Sequence, residues 1–203
     1  MERNRRKEAG KYSSLYVTSQ GCGAVVAGDA GLMEVFLPVP QVVEETIARI
    51  AQLYPLATAE NAATREVAYL LQNYFSGERI RFDVTLDLGG CTEFQRSVYG
   101  AVRKIPYGAV KTYTEIAAQI NHPKASRGIG SAMARNPLPI VIPCHRVIGS
   151  DGRLTGYSGP GGVGMKNDLL RMEGVPFDER GGKVRRETKG DHELFARVHR
   201  NST

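Results

Sequence analysis

A chain of 203 residues, 41% hydrophobic and 24% charged, has an ordinary soluble composition and is long enough to bury a core in one domain or two small ones. Its apolar runs are far too short to span a bilayer, and the charged opening Met1-Glu-Arg-Asn-Arg-Arg-Lys-Glu lacks the apolar segment of a secretory signal, so no membrane partner is expected and the location is expected to be cytoplasmic, or nuclear in a eukaryote. The net charge of +6 is uneven: residues 1–91 hold 9 Lys/Arg and 11 Asp/Glu, residues 92–175 hold 11 and 5, and residues 176–203 hold 7 and 5. A basic excess of this kind attracts polyphosphate by steering and counterion release, although a solvated basic surface reads the same way in a sequence.

In chain order, residues 1–12 read as a basic tail. Leu15 to Val17, Gly23 to Val26 and Leu32 to Leu37 read as short strands between Gly-containing turns. Val42 to Leu53 carries apolar residues at 43, 47, 50 and 53, a helical spacing, and Asn61 to Phe75 is a second helix that stops at Ser76-Gly77. Phe82 to Leu88 alternates apolar and polar as an edge strand would. Residues 13–90 thus form a small α/β domain without an evident catalytic group, and its expected task is scaffolding.

Gly89-Gly90 marks a boundary, and residues 91–176 form the second domain. Phe94, Val98, Ala101, Val102 and Ile105 fall at helical intervals until Pro106 breaks the run. Thr112-Tyr-Thr-Glu115 fits a capping box that opens a helix running to Ile120. Asn121-His122-Pro123 turns the chain, and a second helix is expected over Lys124 to Arg135, with Pro123 in its first turn. Two short helices and a tight turn make a helix-turn-helix. The second helix is slim: Ala125, Ser126, Gly128, Gly130, Ser131, Ala132 and Ala134 are all small. Two glycines destabilise such a helix by roughly 1 kcal/mol each relative to alanine. Either close helix packing or entry into a minor groove only about 6 Å wide would account for them.

Asn136-Pro137 ends that helix, and the apolar run Pro139 to Ile142 delivers Pro143-Cys144-His145-Arg146-Val147 on an expected strand. Adjacent residues of a strand point oppositely, so Cys144 and His145 need a bridging water or a sharp bend to cooperate. A thiol with an ordinary pKa near 8.5 needs such help at neutral pH. Glu173 closes the helix Lys166 to Met172, where a carboxylate opposes the helix dipole, and a broken local rule often marks function. Cys22, Cys91 and Cys144 form no Cys-x-x-Cys pair, so no structural zinc and no other metal is expected; Cys22 and Cys91 read as small buried hydrophobes. Gly159-Pro-Gly-Gly-Val-Gly164 matches a dinucleotide fingerprint but lacks the βαβ setting and the acidic partner. Residues 177–203 read as a charged, disordered tail with a short helix around Glu193 to His199.

From Thr92 to Val175 the chain resembles the O6-alkylguanine-DNA alkyltransferases, also called methylated-DNA–protein-cysteine methyltransferases, through Tyr113, Arg127, Asn136-Pro137, Pro143 to Val147, Gly156-Tyr157-Ser158-Gly159 and Glu173-Gly174 in one order. The resemblance implies an amino-terminal α/β domain with a ribonuclease-H-like sheet and a carboxy-terminal helical domain with a winged-helix-like helix-turn-helix. It implies a monomer whose partner is double-stranded DNA carrying O6-alkylguanine. The base is flipped out through the minor groove, and its alkyl group passes irreversibly to Cys144 without a cofactor. Under it Ala125, Ser126, Arg127, Gly130, Ser131 and Arg135 face DNA, with Arg127 taking the flipped nucleotide's place. His145 acts on Cys144 through a water, Glu173 orients His145, and Lys166 lies near the site. Tyr113 meets the base through its ring and a bond to N3, Ser158 donates to O6, Tyr157 belongs to the binding loop, the Cys144 and Val147 carbonyls accept from the exocyclic amine, and Asn136 ties the turn. The chain departs from the family in its glycine-rich, slightly longer stretch at 159–164 and in Asp168, where a bulky residue is usual. The rival readings are an alkyltransferase-like lesion-binding protein, which would lack the reactive cysteine, a helix-turn-helix regulator and a cysteine hydrolase.

Overall fold

A computed structural model describes residues 10–40, 43–57 and 59–185. Val42, the expected helix around Glu193 to His199 and residues 1–9 of the expected basic tail lie outside the described residues. The fold is mixed α/β. Three strands, β1 (Lys11–Thr18), β2 (Gly21–Gly28) and β3 (Gly31–Val39), form an antiparallel meander in the order β1-β2-β3. β1 therefore takes in Lys11 and Tyr12 from the expected tail.

β2 is buried on both faces, and its side chains alternate between two cores. Ala24 and Val26 join Phe36, Ile50 and Ala57 under α1 (Val43–Leu53). Val25 and Ala27 join Val67, Leu71 and Tyr74 of α2 (Ala62–Phe75), which a capping box between Asn61 and Thr64 starts. The apolar spacing of α1 is helical as expected, yet only one of its four positions faces the core: Ile50 is buried, while Val43, Ile47 and Leu53 are 37%, 50% and 52% exposed.

Phe82 to Leu88 does not become an edge strand. It touches the sheet at a single bridge, Leu86 with Leu32, because the Phe82 and Val84 carbonyls accept from the Arg103 guanidinium instead and Val35 N–H donates to Pro137. The expected helices follow: α3 (Glu93–Arg103), α4 (Tyr113–Gln119) and α5 (Ser126–Ala134). Thr112 and Glu115 form the expected capping box of α4. α5 starts at Ser126, not Lys124, and Pro123 sits in the turn before it. β4 (Lys111–Thr112) and β5 (Val147–Ile148) pair in parallel, and α6 (Gly162–Met172) begins earlier than the sequence implied. One continuous cluster takes in Val25, Leu71 and Tyr74 from the amino-terminal segment and Val98, Ile129, Ile142 and Leu169 from the rest. Residues 177–185 are not a loose tail: Phe177 pairs with Val184, Lys183 pairs with Arg153, and Val184 packs with Ile148, Leu170 and Val175.

Candidate active site beside the helix-turn-helix

Cys144 does not ride on a strand. Pro139 to Ile142 makes a tight turn, with Pro139 bridged to Ile142 and buried Ile140 held at φ 71°, a conformation rare for a β-branched residue. Cys144–Arg146 then form a single 3-10 turn. Asn136 braces this bend: its amide donates to Ile142 O at 2.8 Å, and its carbonyl accepts from Leu138 N–H at 3.0 Å. The chain thus bends sharply at Cys144 and His145, and successive side chains splay by about a third of a turn rather than pointing oppositely.

Cys144, 6% exposed, lies at a cavity of about 670 Å³. The cavity's walls include Tyr113, Ser126, Arg127, Gly130, Met133, Ala134, Thr155, Gly156, Tyr157 and Ser158. The sequence-predicted residues Ala125, Ser131, Arg135 and Asn136 are not among those walls; Ser131 and Arg135 are exposed on α5 and joined by a hydrogen bond of 2.9 Å. The two α5 glycines separate in role. A Cβ at Gly128 would meet the Phe94 ring at 3.3 Å, so close packing explains it; a Cβ at Gly130 would meet only Tyr113 Cε1 at 4.0 Å, so nothing within the chain requires glycine there.

Behind Cys144 lies a cluster of buried polar side chains. His145 is buried and faces Glu173, Nε2 to Oε1, at 2.8 Å. Arg146 donates to both carboxylate oxygens at 2.8 Å, and to Ile105 O at 2.7 Å; Gly108 N–H adds a bond of 3.2 Å. Tyr74 of α2 donates to Oε1 at 2.6 Å and lies 3.2 Å from His145 Nε2. Burial opposes the charge of Glu173, but the hydrogen bonds from His145 and Arg146 outweigh it and hold the carboxyl well below the usual carboxylate range. Burial pulls the His145 pKa down against the pull of Glu173, so the ring is neutral. A carboxylate partner favours the proton on Nε2, which leaves Nδ1 as a lone-pair acceptor, and that buried atom has no partner among the described residues.

Burial also raises the Cys144 thiol, against the Asn136 amide and the Lys166 ammonium, which lower it. Lys166 is buried, donates to Val147 O at 2.6 Å and Thr155 O at 2.9 Å, and lies 6.0 Å from the Tyr113 ring centre; burial lowers its pKa to about 8. Tyr113 donates to Thr155 O at 3.3 Å. The Val147 carbonyl thus already accepts one bond, as does the Cys144 carbonyl from Val147 N–H, and each retains a second lone pair. The Tyr157 hydroxyl is buried without a partner among the described residues. Sequence reasoning missed Tyr74, Gly108 and Thr155. Two of them act through backbone atoms, which leave no mark in a sequence, and Tyr74 sits on an ordinary apolar helix face. No group of three or more His, Cys, Asp or Glu placed to hold a metal ion occurs among the described residues, and no described helix is long and apolar enough to cross a membrane.

Fold and site together define a mixed α/β helix-turn-helix protein in which the second helix and a buried cysteine share one cavity. The family model for the DNA-binding domain of 6-O-methylguanine DNA methyltransferase matches residues 93–175. The chain is 53% identical over 110 residues, 54% of its length and 69% of the relative's, to the methylated-DNA–protein-cysteine methyltransferase of Methanosarcina acetivorans. It is also similar to the crystal structure of the Mycobacterium tuberculosis O6-methylguanine methyltransferase, at 36% identity and TM-score 0.64 over 80% of this chain and 92% of that one. The same protein in complex with DNA matches at 37% identity and TM-score 0.63 over the same shares. The chain belongs to the methylated-DNA–protein-cysteine methyltransferase family.

Proposed function

We propose that the protein repairs O6-alkylguanine in duplex DNA by moving the alkyl group to its own Cys144, in a single irreversible turnover. The observation that carries this reading is the setting of the sulfur: it lies at a cavity walled by α5, and His145 behind it carries an unpartnered Nδ1. The slim face of α5 enters the minor groove, where Gly130, Ser126 and Ala134 let the backbone approach closely. Arg127, exposed at the cavity rim, takes the vacated place in the stack, and Ala125, Ser131 and Arg135 meet the DNA strands beside it.

The flipped base then enters the cavity. Tyr113 turns its one hydroxyl proton from Thr155 O to N3, Ser158 donates to O6, the free lone pairs of the Cys144 and Val147 carbonyls accept from the exocyclic amine, and Tyr157 closes the loop side. The thiol proton passes through a bridging water to His145 Nδ1, whose new positive charge Glu173 stabilises. The sulfur lone pair forms the S–C bond as the C–O6 bond breaks, and the electrons of that bond go to O6, where donors lower the barrier. Lys166 holds the Val147 and Thr155 carbonyls in place and favours the thiolate.

The test is incubation with an excess of duplex carrying O6-methylguanine. One methyl group per protein molecule, on the Cys144 peptide, is the expected end point. Repeated turnover, or label on Cys22 or Cys91, would sink the reading. Tight lesion binding without any mass gain would favour the lesion-sensing alternative.

A further inference from the structure

The amino-terminal segment reads in the sequence as scaffold, yet one of its side chains reaches the reacting end of the molecule. Tyr74, on α2, is 71 residues from His145 and 99 from Glu173 and is fully buried against both. We propose that Tyr74 is a positioning residue for alkyl transfer, its hydroxyl holding Glu173 Oε1 and flanking His145 Nε2 so that His145 keeps its proton on Nε2 and presents Nδ1 towards Cys144. This rests on the reading of Cys144 as the alkyl acceptor.

A tyrosine has one proton to give. The carboxylate oxygen at 2.6 Å is a far better acceptor than the ring nitrogen at 3.2 Å, so the proton goes to Glu173. The Tyr74 oxygen then turns its lone pairs to His145 Nε2, beside those of Glu173 Oε1. A ring protonated on Nδ1 would set the Nε2 lone pair against both oxygens, and two acceptors facing a third exclude that tautomer. Nδ1 is thereby kept free, as its lack of a partner requires.

Packing alone does not explain the hydroxyl. The Tyr74 ring lies against Phe75, Phe82 and Tyr107, contacts that a phenylalanine would make equally well. Burying a phenol beside a carboxylate pushes its own ionisation well above the usual range, so it remains a donor throughout the working range of pH. The charged and titratable groups facing the relay are Glu173, Arg146, Lys166, Tyr107 with Arg79 beside it, Tyr157 and Cys144, and all of them stay when the hydroxyl is removed.

In Tyr74→Phe, Glu173 loses one donor and becomes a stronger acceptor for the imidazolium. His145 then protonates more readily, and an imidazolium cannot take the thiol proton. The acid limb of the transfer rate should therefore move to higher pH by about one to two units, the size set by one hydrogen bond to a charged group. The plateau rate should also fall several-fold as the His145 ring loses one of the two groups that flank its Nε2.

The measurement is the pH dependence of benzyl transfer from free O6-benzylguanine to the full chain, which does not require base flipping, with melting temperature as the folding control. An unmoved or downward-moved acid limb in a folded variant that still transfers would overturn the positioning role, whatever happens to the plateau. If the wild-type chain transfers nothing, the alkyl-acceptor reading falls instead. Should Tyr74→Phe fail to fold, 3-fluorotyrosine placed at position 74, a stronger donor of nearly the same shape, decides: an acid limb moved to lower pH supports the proposal, and an unmoved or raised limb overturns it.

Discussion

The two sides of Cys144 are built differently. On the cavity side the α5 wall is small or exposed where it faces outward: Gly130 has room for a Cβ that no residue of the chain fills, and Arg127 projects from the rim. On the buried side Glu173 alone receives five donors, from Tyr74, His145, both Arg146 nitrogens and Gly108. A surface that will meet a partner leaves its capacity unspent, whereas a buried charge must be satisfied by the chain itself. Substitutions should therefore separate cleanly, with the cavity side governing recognition and the buried side governing reactivity and stability.

The sharpest break is at the boundary. Cys144→Ala should abolish transfer completely and leave affinity for duplex DNA largely intact, measured by mass analysis and by titration with a labelled duplex. Loss of binding in a folded variant would mean that the thiol side also builds the recognition surface.

On the buried side, Glu173→Gln puts an amide NH₂ among donors and strips Arg146 of its counter-charge. Breaking a buried ion pair from one side destabilises by about 3–5 kcal/mol, which denaturant unfolding would register. The thiol pKa should rise as well, read from the pH dependence of Cys144 alkylation. An unaltered thiol profile would place another residue in the role of Glu173.

The pH dependence of stability follows from the same groups. The folded-state pKa of Glu173 is lowered, so its contribution is fully present above the ordinary 4.5 and is lost as pH falls below that value. His145 is held neutral, so acidification below its ordinary 6.5 also favours the unfolded chain. The melting temperature should decline from near pH 6.5 and more steeply below 4.5, and Glu173→Gln should flatten only the lower part.

On the cavity side the effects are smaller and point the other way. Arg127→Ala should slow repair in duplex DNA by roughly tenfold or more, about 1.4 kcal/mol of barrier, while reaction with free O6-benzylguanine changes little. Equal slowing on both substrates would make Arg127 a structural residue. Gly130→Ala should raise the melting temperature, since alanine stabilises a helix interior by up to about 1 kcal/mol and meets nothing within the chain. It should weaken duplex binding at the same time. Stabilisation without weaker binding would mean that this face of α5 does not enter the groove.

Much of this division is legible in the sequence, because its signals are local. The Thr112–Glu115 capping box, the small residues of α5 and the Asn136 brace of the bend each act within a few residues. Glu173 stands out as a carboxylate at a helix end, and the structure supplies the five donors that keep it there. What escapes depends on distant partners. The α1 stripe has the right period, but how much of it is covered is decided by the width of the sheet beneath. Phe82 to Leu88 alternates as a strand, but Arg103 takes two of its carbonyls. Residues 177–185 look like a polar tail until Phe177 and Val184 find Ile148 and Leu170. Tyr74 is one aromatic among several on α2, and only its distance to Glu173 sets it apart.

The spacing of the relay along the chain has a consequence for biosynthesis. Tyr74, His145 and Glu173 span 99 residues, and loops of that length close late because their entropy is lost before their contacts form. While residues up to Met172 are emerging from the ribosome, Cys144 has no Glu173 behind its histidine. The thiol is an ordinary cysteine until α6 docks. Under the single-turnover reading proposed above, the reactivity of Cys144 is thus withheld until the site that selects the substrate is complete.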